Sequence, residues 1–113
     1  MRLIQEYNEF VRKTKFYPQH RKIEYPILGI CGEAGEAAEK VKKTIRDNNE
    51  VFDEERKAAI LKELGDVLWY VVATAQDMDY TFADIINANM KKVTKRIETN
   101  TQHGEGDNRE EIS

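Results

Sequence analysis

The sequence predicts an all-α protein, a bundle of four helices in one domain. Apolar residues recur at the three- and four-residue spacing of amphipathic helices in four separate segments. The 113 residues include only two prolines and six glycines, too few turn residues for a sheet of several strands. A domain of this length has a modest hydrophobic core, so association between copies of the chain would stabilise it.

The first two helices are predicted on either side of an ordered loop. Apolar spacing indicates an amphipathic helix at residues 2–15 and a second one at residues 27–46. The second helix is expected to end at Asp47-Asn48-Asn49, because asparagine tolerates the left-handed conformation that follows many helices. The loop at residues 16–26 contains both prolines, and its aromatic and basic side chains either pack on their own domain or lean over a ligand.

The third helix is predicted from the N-cap residue Asp53 to about Met78. Residues 67–75 within it are apolar almost all round, a pattern typical of helices that are buried on every side. We therefore expect this helix to lie at the centre of the bundle or between subunits.

A fourth helix is predicted at residues 82–97. Thr81 and Asp84 have the spacing of a capping box, in which each residue satisfies the backbone of the other at the start of a helix. The remaining residues are polar and lack apolar periodicity. We expect a single all-α domain at residues 1–97 and a polar C-terminal tail at residues 98–113.

Charge and cysteine content exclude several classes of protein. The net charge of −3 argues against a nucleic-acid binder, which would present a basic surface. Cys31 is the single cysteine, so no intramolecular disulfide can form, and its apolar neighbours indicate a small core residue. The N-terminus lacks the apolar run of a signal peptide, and residues 67–75 are too few to span a bilayer. We expect a cytoplasmic protein with no membrane and no nucleic-acid partner.

Two short acidic motifs are the most unusual feature of the chain. Glu33 and Glu36 form one pair, Glu63 and Asp66 the other, and each pair is three residues apart, so its carboxylates project from one helix face. Each motif also contains a glycine, which costs a helix interior about 1 kcal/mol relative to alanine. Four carboxylates are hard oxygen ligands that suit Mg²⁺, or Mn²⁺, better than zinc. The motifs therefore predict a metal site that binds a polyphosphate.

The plainer interpretation is that both pairs lie on ordinary solvated helix faces. Glu36 and Lys40 have the spacing of a surface ion pair, which explains the first motif without a metal. Glu63 and Asp66 have no lysine or arginine three or four residues after them. They also lead directly into the apolar segment, where a carboxylate without a partner is costly. The second motif is therefore the stronger indication of a site.

A basic segment follows on the predicted fourth helix. Asn89, Lys92 and Arg96 are spaced to share one face. They form either a basic surface run or a clamp for phosphates, in which lysine supplies a point charge and arginine a bidentate fork. Spacing alone leaves both interpretations open.

Together these residues resemble the MazG-like family of all-α nucleoside triphosphate pyrophosphohydrolases, in its short phage-like type. The family pattern is Glu-Glu-x-x-Glu, then Glu-x-x-Asp after a variable interval. It is matched here by Gly32-Glu33-Ala34-Gly35-Glu36 and Glu63-Leu64-Gly65-Asp66, except that Gly32 replaces the first glutamate. The stretch from Gly65 to Tyr70 is similar to the family's Gly-Asp-Leu-Leu-aromatic sequence. The resemblance covers roughly residues 3–109.

The resemblance implies Mg²⁺-dependent cleavage of a nucleoside triphosphate to the monophosphate and pyrophosphate. It assigns metal binding to the four acids, and either Glu33 or Glu36 would accept the proton of the attacking water. Phosphate contacts would fall on Lys92 and Arg96, in a segment that includes Asn89. Trp69 either stacks on the base or packs in the core. Members of the family assemble as dimers or dimers of dimers, so a homo-oligomer is expected.

Two other functions remain open. A related helical pyrophosphohydrolase acting on dUTP or phosphoribosyl-ATP would share the same acidic frame, and the base pocket would distinguish it. A non-catalytic helical module that binds nucleotides or protein partners is the alternative from another class. Metal-dependent stabilisation that depends on Glu63 and Asp66 would separate an enzyme from such a module.

Overall fold

The structure, a computed structural model, describes residues 2–99 and is helical throughout. Its four helices are α1 (Arg2–Thr14), α2 (Glu24–Asp47), α3 (Glu54–Asp77) and α4 (Phe82–Thr99), with a 3-10 turn at Gln19–Arg21 between α1 and α2. No strand occurs within residues 2–99. The predicted all-α class and the four helices are confirmed. Residues 100–113, which make up most of the predicted tail, lie outside the described residues.

Helices α2 and α3 form a long antiparallel hairpin, which is the largest packing interface of the protomer. Each contains 24 residues. Asp53 caps α3 as predicted, since its carboxylate accepts a hydrogen bond from the Arg56 backbone N–H at 2.9 Å. Asn49 has a φ of 52° in the connecting turn, the left-handed conformation expected for this position. Helix α2 begins three residues earlier than predicted, because Pro26 fits in a first turn, where its missing N–H is not needed.

The hydrophobic core lies beside the C-terminal half of α3. Its buried members come from α1, the α1–α2 loop and α3, and they are Val11, Tyr17, Val72 and Ala73. Trp69, Phe82 and Ile85 are partly buried and pack against them. Helices α1 and α4 both pack on α3 and on each other. The rest of the α2–α3 hairpin, away from this core, has its outer faces in solvent.

Asp77 at the end of α3 holds the loop between α1 and α2 in place. Its carboxylate accepts hydrogen bonds from Lys15 Nζ at 3.0 Å, the Tyr17 hydroxyl at 2.7 Å and the Ile23 backbone N–H at 2.9 Å. Ile23 has a φ of 73°, an unfavourable conformation for a β-branched residue that this hydrogen bond helps to hold. Burial alone would raise the pKa of Asp77, but the three donors outweigh it and the pKa is lowered.

Helix α4 begins with the predicted capping box. The Thr81 N–H donates to Asp84 Oδ2 at 2.8 Å, and the Asp84 N–H donates to Thr81 Oγ1 at 3.1 Å. The side chain of Asn8 on α1 also accepts a bond from the Phe82 N–H at 2.9 Å, which ties the start of α4 to α1. The helix ends at Thr99, two residues later than predicted.

The apolar segment of α3 is not buried on every side by the rest of residues 2–99, and the alternative expectation, burial between subunits, stays a prediction. Residues 72–75 are buried, but the Leu68 side chain is 36% exposed. Leu28, Leu61 and Leu64 on the hairpin are more than half exposed. Cys31, expected in the core, is exposed as well, because α2 turns Gly29, Glu33 and Lys40 toward α3 and Cys31 lies on another side of the helix. Among residues 2–99, none of the helices combines the length and apolar character needed to cross a bilayer.

Candidate metal and nucleotide site

Three of the four predicted metal-binding acids meet between α2 and α3. Carboxylate oxygens of Glu33, Glu63 and Asp66 all lie within 4.8 Å of one another, and we call these residues the acidic cluster. Glu33 comes from α2, whereas Glu63 and Asp66 are one turn apart on α3. Glu33 and Glu63 are partly buried, with the Glu63 side chain 17% exposed, whereas Asp66 is exposed. The sequence had placed Asp66 closer to buried structure.

The carboxylates of the acidic cluster repel one another. Burial raises the pKa of Glu33, and the charges of Asp66 and Glu63 together with a hydrogen bond shared with Glu63 raise it further. Lys40 Nζ lies 4.0 Å from Glu63 Oε2, at the outer limit of an ion pair. This lysine comes from the opposite helix, so the spacing of charges along α3 could not identify it.

Glu36 stands apart from the other predicted ligands. It lies one turn beyond Glu33 on α2, is exposed, and is not among the acids whose oxygens lie within 4.8 Å of one another. Its charge makes the smallest contribution to the raised pKa of Glu33. Glu36 is therefore near the acidic cluster without being part of it.

The donor set of the acidic cluster fits a hard divalent cation. Oxygen ligands from carboxylates are those that Mg²⁺ and Mn²⁺ prefer. A raised carboxylate pKa means that Glu33 gains from any positive charge bound beside it, whether a proton or a metal ion. Glu33, Glu63 and Asp66 are the residues that would hold such an ion.

An aromatic cavity of about 330 Å³ opens directly beside the acids. Two members of the acidic cluster line it together with residues of α1, the loop and α3, and the lining residues are Thr14, Phe16, Glu33, Asp66, Trp69 and Tyr70. The Phe16 and Trp69 rings lie 5.6 Å apart, and the Trp69 indole N–H donates to Thr14 Oγ1 at 2.8 Å. Phe16 is 66% exposed. The cavity therefore presents aromatic surface next to the acidic cluster.

The aromatic residues near the acidic cluster divide between the core and the cavity, and a contact with a ligand stays a prediction. Tyr17 packs in the core, whereas Phe16, its neighbour in the loop, lines the aromatic cavity. Trp69 does both, since it packs against the core and lines the cavity. Tyr70, which the sequence leaves between base stacking and core packing as it does Trp69, lines the aromatic cavity beside Phe16.

Glycine has a packing role at a position that the motifs did not indicate. A side chain at Gly29 would collide with the Tyr70 ring, so this glycine lets α2 approach the wall of the aromatic cavity. By contrast, a Cβ at Gly32, Gly35 or Gly65 would meet nothing within 4 Å. Among the described residues, no side chain or neighbouring helix therefore approaches these three motif glycines closely.

The basic segment lies on α4, which packs mainly on α1 and α3 rather than on α2. Asn89 is exposed, and Lys92 and Arg96 are partly buried. The lining of the aromatic cavity comes instead from α1, the loop, α2 and α3. The phosphate contacts assigned to Asn89, Lys92 and Arg96 thus remain predictions from the sequence.

Comparison with known proteins identifies the family of this chain. The model of the MazG nucleotide pyrophosphohydrolase domain matches residues 21–100, which include both acidic motifs. The chain is also 39% identical over 87 residues to the Gene 37 protein of Mycobacterium phage L5, an alignment that covers 77% of this chain and 76% of the phage protein. No solved structure matches. The extent of the family match shows that this chain belongs to the MazG nucleotide pyrophosphohydrolase family.

Proposed function

We propose that this protein is a Mg²⁺-dependent pyrophosphohydrolase that cleaves a ribo- or deoxyribonucleoside triphosphate to the monophosphate and pyrophosphate. The observation that supports it most directly is the acidic cluster placed against the aromatic cavity. One part of this site suits a metal-bound polyphosphate, and the adjoining part suits a nucleobase. Family membership supports the same reaction class.

In this proposal the side chains bind and orient the substrate. The base enters the aromatic cavity and stacks on Phe16 and Trp69, which places the phosphates at the acidic cluster. Mg²⁺, or Mn²⁺, supplies positive charge against the triphosphate and makes water more acidic. Glu33, Glu63 and Asp66 hold the ion, and their position fixes where the reacting phosphorus lies.

Glu33 and Glu36 are the proposed acceptors of the proton from the attacking water. We favour Glu36 as the acceptor, because it is exposed and lies outside the acidic cluster, so it does not also have to hold the metal ion. Asn89, Lys92 and Arg96 are proposed to contact the phosphates, on the strength of the family resemblance.

A homo-oligomer, either a dimer or a tetramer, is part of the proposal. Large apolar side chains stay exposed along the hairpin and on the second half of α4, among them Leu28, Leu61, Met90 and Ile97, each at least 54% exposed. Burial of such surface against a second copy would stabilise both protomers. Light scattering after gel filtration tests this, and a mass of one chain at all concentrations would contradict it. A cytoplasmic location, where nucleotides are abundant, is also proposed.

The test of the activity is pyrophosphate release from a panel of nucleotides with Mg²⁺. The panel contains the common ribo- and deoxyribonucleoside triphosphates, dUTP and phosphoribosyl-ATP, and each is assayed with and without a chelator. We expect metal-dependent release of pyrophosphate from at least one triphosphate, reduced more than about 100-fold in the Asp66→Asn variant. Absence of release above background from every nucleotide would contradict the proposal.

A further inference from the structure

A second charged surface continues from the acidic cluster in the direction away from the aromatic cavity. It is a groove between α2 and α3, formed by two adjoining cavities of about 370 and 250 Å³. Lys40, Glu55 and Ala59 line both cavities; the first also contains Ala58, Lys62 and Glu63, and the second Lys43, Thr44 and Arg56. We call the groove that these residues line the cationic groove.

The cationic groove begins at the acidic cluster itself. Glu63 belongs to the cluster and also lines the first cavity, and Lys40 Nζ lies 4.0 Å from its carboxylate. From Glu63 to Arg56 the groove follows two turns of α3, about 10 Å at the usual helical rise. Three basic side chains, those of Lys40, Lys43 and Arg56, line this span together with one acid, Glu55.

The order of features along α3 gives the site a direction. Tyr70 and Trp69 line the aromatic cavity, Asp66 and Glu63 form the α3 part of the acidic cluster, and Arg56 lines the far end of the cationic groove. A nucleoside triphosphate has the same order of base, reacting phosphate and anionic tail. Lysine and arginine are also the side chains that bind phosphates in proteins, because lysine supplies a point charge and arginine a bidentate fork.

We propose that the cationic groove binds the β- and γ-phosphates of the substrate, and hence the pyrophosphate product, through Lys40, Lys43 and Arg56. This rests on the proposed function and deepens it by fixing which way the substrate lies. We call Lys40, Lys43 and Arg56 the row. Glu55 is an acid in the same groove, so the row and Glu55 together carry a net charge of +2. The nucleoside monophosphate product stays at the aromatic end and makes no contact with the row.

The chain supplies matched controls for this row. Lys42 is on the same helix as Lys40 and Lys43, but it pairs with Glu39 at 3.1 Å and does not line either cavity. Lys57 follows Arg56 on α3 and pairs with Glu54 at 2.8 Å, again away from the groove. Neutralising either control removes one positive charge from the same helix at a residue that does not line the groove.

The experiment measures binding of pyrophosphate, and separately of a nucleoside monophosphate, by calorimetry with Mg²⁺. Loss of one charge-assisted contact should raise the Kd for pyrophosphate about tenfold in Lys40→Gln, Lys43→Gln and Arg56→Gln. The Kd for the monophosphate should stay within about twofold, and Lys42→Gln and Lys57→Gln should match the wild type.

In steady-state kinetics, the row variants should lose kcat/KM while the controls keep it. Thermal melts establish that each variant is folded. If Lys40→Gln does not fold, Lys43→Gln carries the test, because the Lys43 side chain is exposed.

Two results would overturn the inference while leaving the proposed function intact. One is equal pyrophosphate affinity in the row variants and their controls in a protein that hydrolyses nucleotides. The other is a loss of monophosphate affinity instead, which would mean that the substrate lies in the opposite direction. If the wild type hydrolyses no nucleotide, the proposed function fails, and binding of pyrophosphate and tripolyphosphate still decides whether the groove is an anion site.

Discussion

Asp77 and the acidic cluster place the same chemical group in two opposite environments. Asp77 accepts hydrogen bonds from Lys15, Tyr17 and the Ile23 backbone, all within 3.0 Å, and its pKa is lowered despite its burial. The carboxylates of Glu33, Glu63 and Asp66 face one another instead, and the pKa of Glu33 is raised. The fold therefore supplies hydrogen-bond donors to the Asp77 carboxylate, whereas it holds the other three carboxylates together against their mutual repulsion.

The difference indicates what each group does. Donors around a buried carboxylate stabilise the folded state, because the ionised group has a lower free energy in the folded protein than in the unfolded chain. Carboxylates that repel one another destabilise the folded state until a cation binds between them. Such a cluster is therefore typical of a site that binds a cation. Asp77 is thus a structural residue, and the acidic cluster is the candidate site. The two are linked, because the loop held by Asp77 carries Phe16 into the aromatic cavity.

The largest effect is expected from Asp66→Asn, which should reduce kcat/KM for a nucleoside triphosphate by more than about 100-fold. The amide keeps the shape of the side chain but is a weaker ligand for a metal ion. Without Mg²⁺ the variant should melt at or above the temperature of the wild type, because one repelling charge has been removed. Thermal melts with and without Mg²⁺, together with the release assay, check this. A variant that unfolds at room temperature would show that Asp66 is structural, like Asp77.

Asp77→Asn should show the reverse pattern. Removing the charge that accepts three hydrogen bonds should lower the free energy of unfolding by about 2 kcal/mol. For a domain of this size that corresponds to a melting temperature about 10 °C lower. The stabilisation by Mg²⁺ should remain, since the acidic cluster is intact. Asp79→Asn, which removes an exposed charge two residues away, is the control and should melt like the wild type.

Phe16→Ala tests the link between the two regions. Loss of one stacking surface should raise KM about tenfold with a smaller change in kcat. The melting temperature should change little, because Phe16 is 66% exposed. Phe52→Ala, which removes an exposed aromatic ring from the α2–α3 turn, is the matched control and should keep the wild-type KM. Equal KM values for the two variants would place the base elsewhere.

The smallest expected effect is on the pH dependence of stability. The pKa of Asp77 in the folded protein is below its usual value of 3.8, so its contribution to stability is fully present above that value. It is lost as the pH falls through the folded pKa. The wild type should therefore lose stability below about pH 4 more steeply than Asp77→Asn does. Urea titrations at a series of acidic pH values measure this, and parallel curves would mean that the three hydrogen bonds do not depend on ionisation.

The sequence by itself determined the features that depend on neighbours along the chain. The N-cap at Asp53 and the capping box of Thr81 and Asp84 involve residues three apart, and both occur as predicted. The same spacing places Glu63 and Asp66 on one face of α3. Such features follow from the fixed geometry of a helix, so they can be predicted without knowing the tertiary structure.

Only the tertiary structure decided which side chains meet across helices. The approach of Lys40 to Glu63, the contact of Gly29 with Tyr70 and the three donors around Asp77 all join residues that are distant in sequence. They depend on the register of α2 against α3 and on the path of the α1–α2 loop. Helical periodicity defines the faces of a helix but not which face of another helix each one meets. For that reason the acidic motifs could be recognised from the sequence, whereas the aromatic cavity and the cationic groove on either side of them could not.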